Sequence, residues 1–178
     1  MTNRLKKAIT RFEREEDGSL TVEFVLYFSL MLGILAAAIE LSQINLRHAM
    51  LERAVEVVVR DIRLDTGTVP QFEEVRAKIC EEAAIVENCD SNLMLEMKQV
   101  DPRNFVPLPA VPDCINSHQQ PRPVRSFEPG QDNELMLIRA CLKYNPLLPS
   151  GPLAAAIDID EDGYAKLIVR SAFVQEPR

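Results

Sequence analysis

From Phe24 to Ile39 the chain carries no charged residue, and counted back to Leu20 the apolar run is 20 residues long. Wound as a helix it measures about 30 Å, the thickness of a bilayer's hydrocarbon core. Beyond it Ile44, Leu51, Val55, Val58 and Ile62 recur at helical spacing, with Arg47, Glu52, Arg53, Glu56, Arg60 and Asp61 between them. That is an apolar stripe on a charged rod. One helix over residues 20–64 is therefore predicted, its length explained by a membrane segment that continues into solvent. Asp65-Thr66-Gly67 stops the rod, and Thr68-Val69-Pro70-Gln71 offers a cap for a second helix. Phe72, Val75, Ile79, Ala83 and Val86 mark that helix's buried face, and Glu73, Glu74, Lys78, Glu81 and Glu82 its wet one.

The periodicity then shortens. Leu93 to Val100 alternates in part and predicts a first strand. A second is predicted over Glu134–Tyr144, with Met136, Ile138, Ala140 and Leu142 on one face, and a third over Lys166–Val174, with Leu167, Val169 and Phe173 on one face. Between the first two strands, residues 102–130 hold seven prolines and read as a long irregular loop. The expected architecture is α+β: a leader over 1–18, a transmembrane helix and its extension over 19–64, and a head with a small antiparallel sheet over 65–178.

Two carboxylates bracket the apolar run. Glu23 lies just inside its start, where a charge costs about 2.5–3.5 kcal/mol near the membrane centre and less towards an interface, so it needs a partner or a purpose. Glu40 closes the run and is expected to mark the outer membrane boundary. Orientation follows from Arg4, Lys6, Lys7, Arg11 and Arg14 ahead of the run, against Arg47 alone close behind it. This places the N-terminus in the cytoplasm and the head outside.

The net charge of -7 leaves no basic footprint for nucleic acid. The four cysteines, Cys80, Cys89, Cys114 and Cys141, all fall on the outer side, and an even number there points to two disulfides. Zinc is disfavoured because no Cys-x-x-Cys pair exists and His48 and His118 lie far from ligand spacing. Four cysteines allow three connectivities, and sequence does not choose among them. The expected one joins Cys80 to Cys89 across a short loop and Cys114 to Cys141, tying the Pro-rich loop to the second strand.

No nucleophile elbow, phosphate loop or catalytic histidine set can be assembled, so no enzyme and no cofactor is expected. The nearest ligand motif is Asp158-Ile159-Asp160-Glu161-Asp162-Gly163, where Asp158, Asp160 and Asp162 match the first half of a calcium loop. Its twelfth position is Val169 instead of a glutamate, which excludes an EF-hand and favours a hairpin turn at Asp162-Gly163 leading into the third strand, with at most a weak calcium site.

The seam Asp17-Gly18-Ser19-Leu20-Thr21-Val22-Glu23-Phe24 puts a small residue ahead of the apolar run, whereas a secretory signal has it behind. A leader, then Gly18, then Glu23-Phe24 at the fifth and sixth positions beyond it, then an apolar helix resembles the type IV pilin and pseudopilin signature. The Glu-Phe pair is most similar to the TadE/TadF-type pseudopilins of the tight-adherence (Flp) pilus system. Asn133 to Cys141, Tyr144-Asn145-Pro146 and Ala172 to Pro177 resemble the C-terminal half of TadE-like proteins.

The resemblance implies cleavage between Gly18 and Ser19 by a prepilin peptidase, which would take the net charge from -7 to -8 because the leader carries a net +1. It also implies that Glu23 and Phe24 serve recognition and assembly, and that the one helix both carries the head and packs among neighbouring subunits. The implied partners are the inner membrane, the peptidase, other pilins and the Tad assembly platform, with the head periplasmic. The alternative is an uncleaved single-span binding or scaffold protein.

Overall fold

The computed structural model of the chain describes residues 19–64, 69–84, 86–117 and 126–177. The leader through Gly18, the stop-and-cap segment 65–68 and the stretch 118–125 with His118 lie outside these residues.

Helix α1 runs without a break from Ser19 to Leu64, 46 residues, and it has two different surroundings. Its first half is largely exposed, as at Leu20, Phe24, Tyr27, Leu30 and Ile34. This half makes α1 the one helix, among the described residues, long and apolar enough to cross a membrane. Its second half is packed. Leu51, Val55 and Val58, on the stripe read from the sequence, are at most 1% exposed. The helix is therefore an apolar rod whose far end is built into the core of a domain.

Helix α2 (Phe72–Glu82) lies on α1 and buries Val75 and Ile79. Its start is at Gln71, which makes no side-chain cap bond. The chain leaves the helix earlier than the apolar pattern implied. Ala83 and Val86 are buried, but in a turn closed by the Val86 N–H to the Ala83 carbonyl. The reason is covalent: Cys80 is bonded to Cys89, so the chain must double back within 9 residues. Asn88 takes the left-handed conformation at φ 55° to do so, as asparagine does more readily than most residues. The single-turn helix α3 (Cys89–Asn92) follows, an element that no periodicity announces.

The sheet has the order β1-β2-β3, all antiparallel, with β1 at Leu93–Gln99, β2 at Leu135–Tyr144 and β3 at Ala165–Val174. Met136, Ile138, Ala140 and Leu142 point to the helices and are fully buried, as are Leu93, Leu95 and Met97 across the ladder. Each of these leucine, isoleucine and methionine side chains contributes about 1.5–3 kcal/mol by leaving water. Truncating Leu51 or Ile138 to alanine would cost about 2–5 kcal/mol, because a close-packed site collapses only in part.

The opposite face of the sheet is also covered along β1 and the middle of β2, while β3 leaves its outward side chains largely exposed. β1 is buried on both faces along Leu93–Met97, which explains why its alternation is incomplete. The cover is the Pro-rich segment, irregular as expected but fastened. Cys114 is bonded to Cys141 of β2. Further along, Ser126 and Glu128 exchange backbone bonds with Met97, so that Phe127 runs beside the outer edge of β1 and meets Phe72 of α2 edge-on at 5.6 Å. This occupies backbone groups that an edge strand would leave open.

Candidate functional site

The residues of the seam divide at the border of the described chain. Gly18 lies outside it, and Ser19 is the first residue of α1. Glu23 and Phe24 stand on the exposed part of the helix. Phe24 stacks on Phe28 one turn later, centroids 5.3 Å apart. Glu23 has no hydrogen bond or ion pair to any described residue, so in an apolar medium it presents an unmatched carboxylate.

Glu40 is different. It is 2% exposed, and its two carboxylate oxygens accept the backbone N–H groups of Leu147 at 3.1 Å and Leu148 at 3.0 Å. Beyond the place at the end of the apolar run that the sequence gives it, the side chain joins the helix to a loop more than a hundred residues away. Two turns on, Arg47 donates to the Asn145 carbonyl at 3.4 Å and lies over the Tyr144 ring at 5.1 Å. Burial pushes the Tyr144 hydroxyl above its ordinary pKa, with Arg47 pulling down and Glu40 pushing up.

At the far end of α1, Gln175 donates to the Ile62 carbonyl at 3.2 Å and Glu176 pairs with Arg63 at 2.9 Å. A helix's last carbonyls need such partners. The segments Tyr144-Asn145-Pro146 and Ala172 to Pro177 thus hold α1 at two heights.

On the outer face of the sheet, Glu96 and Arg139 are directly opposite in the β1–β2 register. Arg139 Nε donates to Glu96 Oε2 at 2.6 Å, and Nη1 donates to the Pro109 carbonyl at 2.7 Å. The Asp113 N–H reaches the same Glu96 oxygen at 3.3 Å. Beside this pair the Cys114–Cys141 bridge closes a 27-residue separation. An ion pair and a disulfide therefore fix the Pro-rich segment on the sheet. Together with Cys80–Cys89, no free cysteine remains among the described residues.

Two of the three aspartates of the calcium candidate are engaged by lysines. Asp158 pairs with Lys166, and Asp160 Oδ2 accepts from Lys143 Nζ at 2.7 Å. Asp160 Oδ1 accepts the N–H groups of Asp162 and Tyr164 at 3.1 and 2.8 Å, while Asp162 accepts from Asn116 Nδ2 at 2.9 Å. Gly163 at φ 83° completes a turn closed by its own N–H to the Asp160 carbonyl. Burial raises the Asp160 carboxyl, but the bonds from Lys143, Tyr164 and Asp162 outweigh it and hold the group below the ordinary carboxylate range. Asp158 and Asp160 also line an open cleft of about 350 Å³ against the Pro-rich segment. Among the described residues no three His, Cys, Asp or Glu side chains converge on a point where a metal ion would sit.

No family model, no curated protein and no solved structure matches the chain.

Sequence reasoning placed the four cysteines in two disulfides, and missed Glu40, Gln175 and the Glu96–Arg139 pair as structural ties. One signal was available for the last. Glu96 and Arg139 sit in strands at positions opposite to the apolar set, where solvated charges and a covered ion pair look alike.

Proposed function

We propose that the chain is a minor pilin or pseudopilin of the TadE/TadF type that supports biogenesis of a Flp-type pilus. On this reading a prepilin peptidase removes the leader after Gly18. The mature chain is a single-span protein of the bacterial inner membrane, with its N-terminus cytoplasmic and its head periplasmic. The observation that carries the reading is the division of α1. One half is exposed and apolar with a lone Glu23 near its start, and the other half is the central element of the head. A helix of that kind can stand in a membrane, or among other such helices, without unpacking the domain it carries. Two disulfides in a small head suit an oxidising compartment.

The test is the intact mass of native membrane material from cells that hold the peptidase. A mature chain beginning at Ser19 is expected. A full leader on most molecules would overturn the reading and leave an uncleaved single-span scaffold in its place. Copurification with sheared pili, or with inner membrane, then decides whether the protein enters the fibre.

A further inference from the structure

The chain from Asn145 to Ile157 holds no charged residue, and it contains Pro146, Leu147, Leu148, Pro149, Pro152 and Leu153. This is an unusual composition for a surface loop, and Leu147 is 57% exposed within it. Its height is set by Glu40. That carboxylate ends the uncharged run of α1 and holds the Leu147 and Leu148 N–H groups, so the loop is pinned where the apolar half of the helix meets the head.

The loop's backbone is also largely closed. The Leu147 and Leu148 N–H groups go to Glu40, and those of Gly151, Ala154, Ala156 and Ile157 go to carbonyls within the loop, while the three prolines have none to satisfy. Backbone left unpaired in or near lipid is costly, and such pairing is what an apolar medium demands. In water it is optional.

We propose that this loop is a second membrane contact: Leu147 and its neighbours rest in the interfacial layer of the bilayer on the head's side, continuous with the exposed apolar surface of α1. The inference rests on the reading of α1 as a membrane span. It follows that the head is held against the lipid at two points, which restricts its tilt, as a single helix leaving the membrane would not. Glu40 acts as a positioning residue for this contact, and it reaches lipid only through the loop it holds.

The chain contains no tryptophan, so a single introduced one reports alone. The full chain carrying Leu147→Trp, Leu32→Trp or Val111→Trp is reconstituted in phosphatidylethanolamine and phosphatidylglycerol vesicles that include phosphatidylcholine brominated at shallow or deep chain carbons. Leu147 and Val111 are exposed, so these substitutions should leave the head folded. Leu32→Trp should lose emission most to deep bromines and Leu147→Trp most to shallow ones, whereas Val111→Trp, on the Pro-rich segment, should lose none.

Quenching at 32 with none at 147 overturns the loop contact and leaves the span standing. Quenching at neither position overturns both. A blue-shifted but unquenched signal at 147 that grows with protein density in the membrane also overturns the proposal, in favour of a second copy of this chain covering the loop.

Discussion

Glu40 and Leu148 are bonded at 3.0 Å across 108 residues, between a helix position next to the apolar run and the loop that follows β2. Because Leu147 shares the same carboxylate, one side chain satisfies two backbone donors. Leaving a buried donor without its partner costs about 1–3 kcal/mol. Glu40→Ala is expected to lower the stability of the full chain in detergent by that amount, not by the sum of two such losses, because Leu147 is exposed and water can take its bond. Glu40→Gln, which keeps an acceptor, should recover part of it. Thermal unfolding reads the first effect, and limited proteolysis within residues 145–157 reads the release of the loop.

Removing one partner of the Glu96–Arg139 pair should be worse than removing both. The side chains are 5% and 1% exposed, and an uncompensated buried charge costs about 3–5 kcal/mol. Arg139→Met alone is expected to lose that much and to free the 109–113 segment. The double variant with Glu96→Met should be clearly more stable than either single one, since apolar side chains of similar volume fill the site without a stranded charge. A double-mutant cycle by chemical denaturation measures the coupling. Equal losses for single and double variants would mean that the pair contributes packing alone.

The pH response should have two limbs with different owners. Asp160 has its carboxyl held below the ordinary range when folded, mainly by Lys143 and the Tyr164 N–H acting against burial. Its contribution is therefore complete above the unfolded carboxylate pKa and is lost as pH falls through the folded value. Tyr144 is raised by burial, so its contribution is complete below the ordinary tyrosine pKa and is lost as pH climbs through the folded one. Asp160→Asn should flatten the acid limb and Tyr144→Phe the alkaline limb of a plot of melting temperature against pH. Calcium at micromolar concentration should move the melting temperature little or not at all. To bind at Asp158 and Asp160 it would first have to displace Lys166 and Lys143.

These relationships also mark what the amino-acid pattern made legible. The long helix, α2 and three strands follow from periods of about 3.6 and 2 read in Ile44 to Ile62, Phe72 to Ile79 and Met136 to Leu142, because burial on one face leaves a repeating trace. Glu40, Glu96, Arg139 and Gln175 leave no such trace. Each is polar, each is at most 4% exposed, and each is bonded to a group 43 or more residues away in the chain. A local pattern cannot distinguish a solvated carboxylate from one that a distant loop will cover. The early end of α2 was hidden for a related reason. The apolar positions Ala83 and Val86 continue the helical spacing, but the Cys80–Cys89 bridge forces the chain round before the spacing is used.

Glu23→Ala should abolish the protein's part in pilus production while leaving it in the membrane. Removing a carboxylate from an apolar helix eases insertion by up to about 2.5–3.5 kcal/mol, so a loss of function could not be blamed on failure to enter the bilayer. Nor would the head be harmed: Glu23 is exposed and bonds to no described residue, whereas Glu40 at the other end of the same run is buried and bonds to two. The defect would then lie in a pairing made with something outside the head. By the pilin resemblance this is the free amine of Ser19, on this chain or an adjacent one, exposed once Gly18 is cut, and opposite charges attract strongly where water is scarce. The two glutamates should consequently fail in different ways. Glu40→Ala should show a lower melting temperature and looser head with pilus output following stability, and Glu23→Ala an unchanged melting temperature with no output. Surface pili at normal levels in cells carrying Glu23→Ala would eliminate the assembly role of that carboxylate and leave the membrane-anchored scaffold as the better account of the chain.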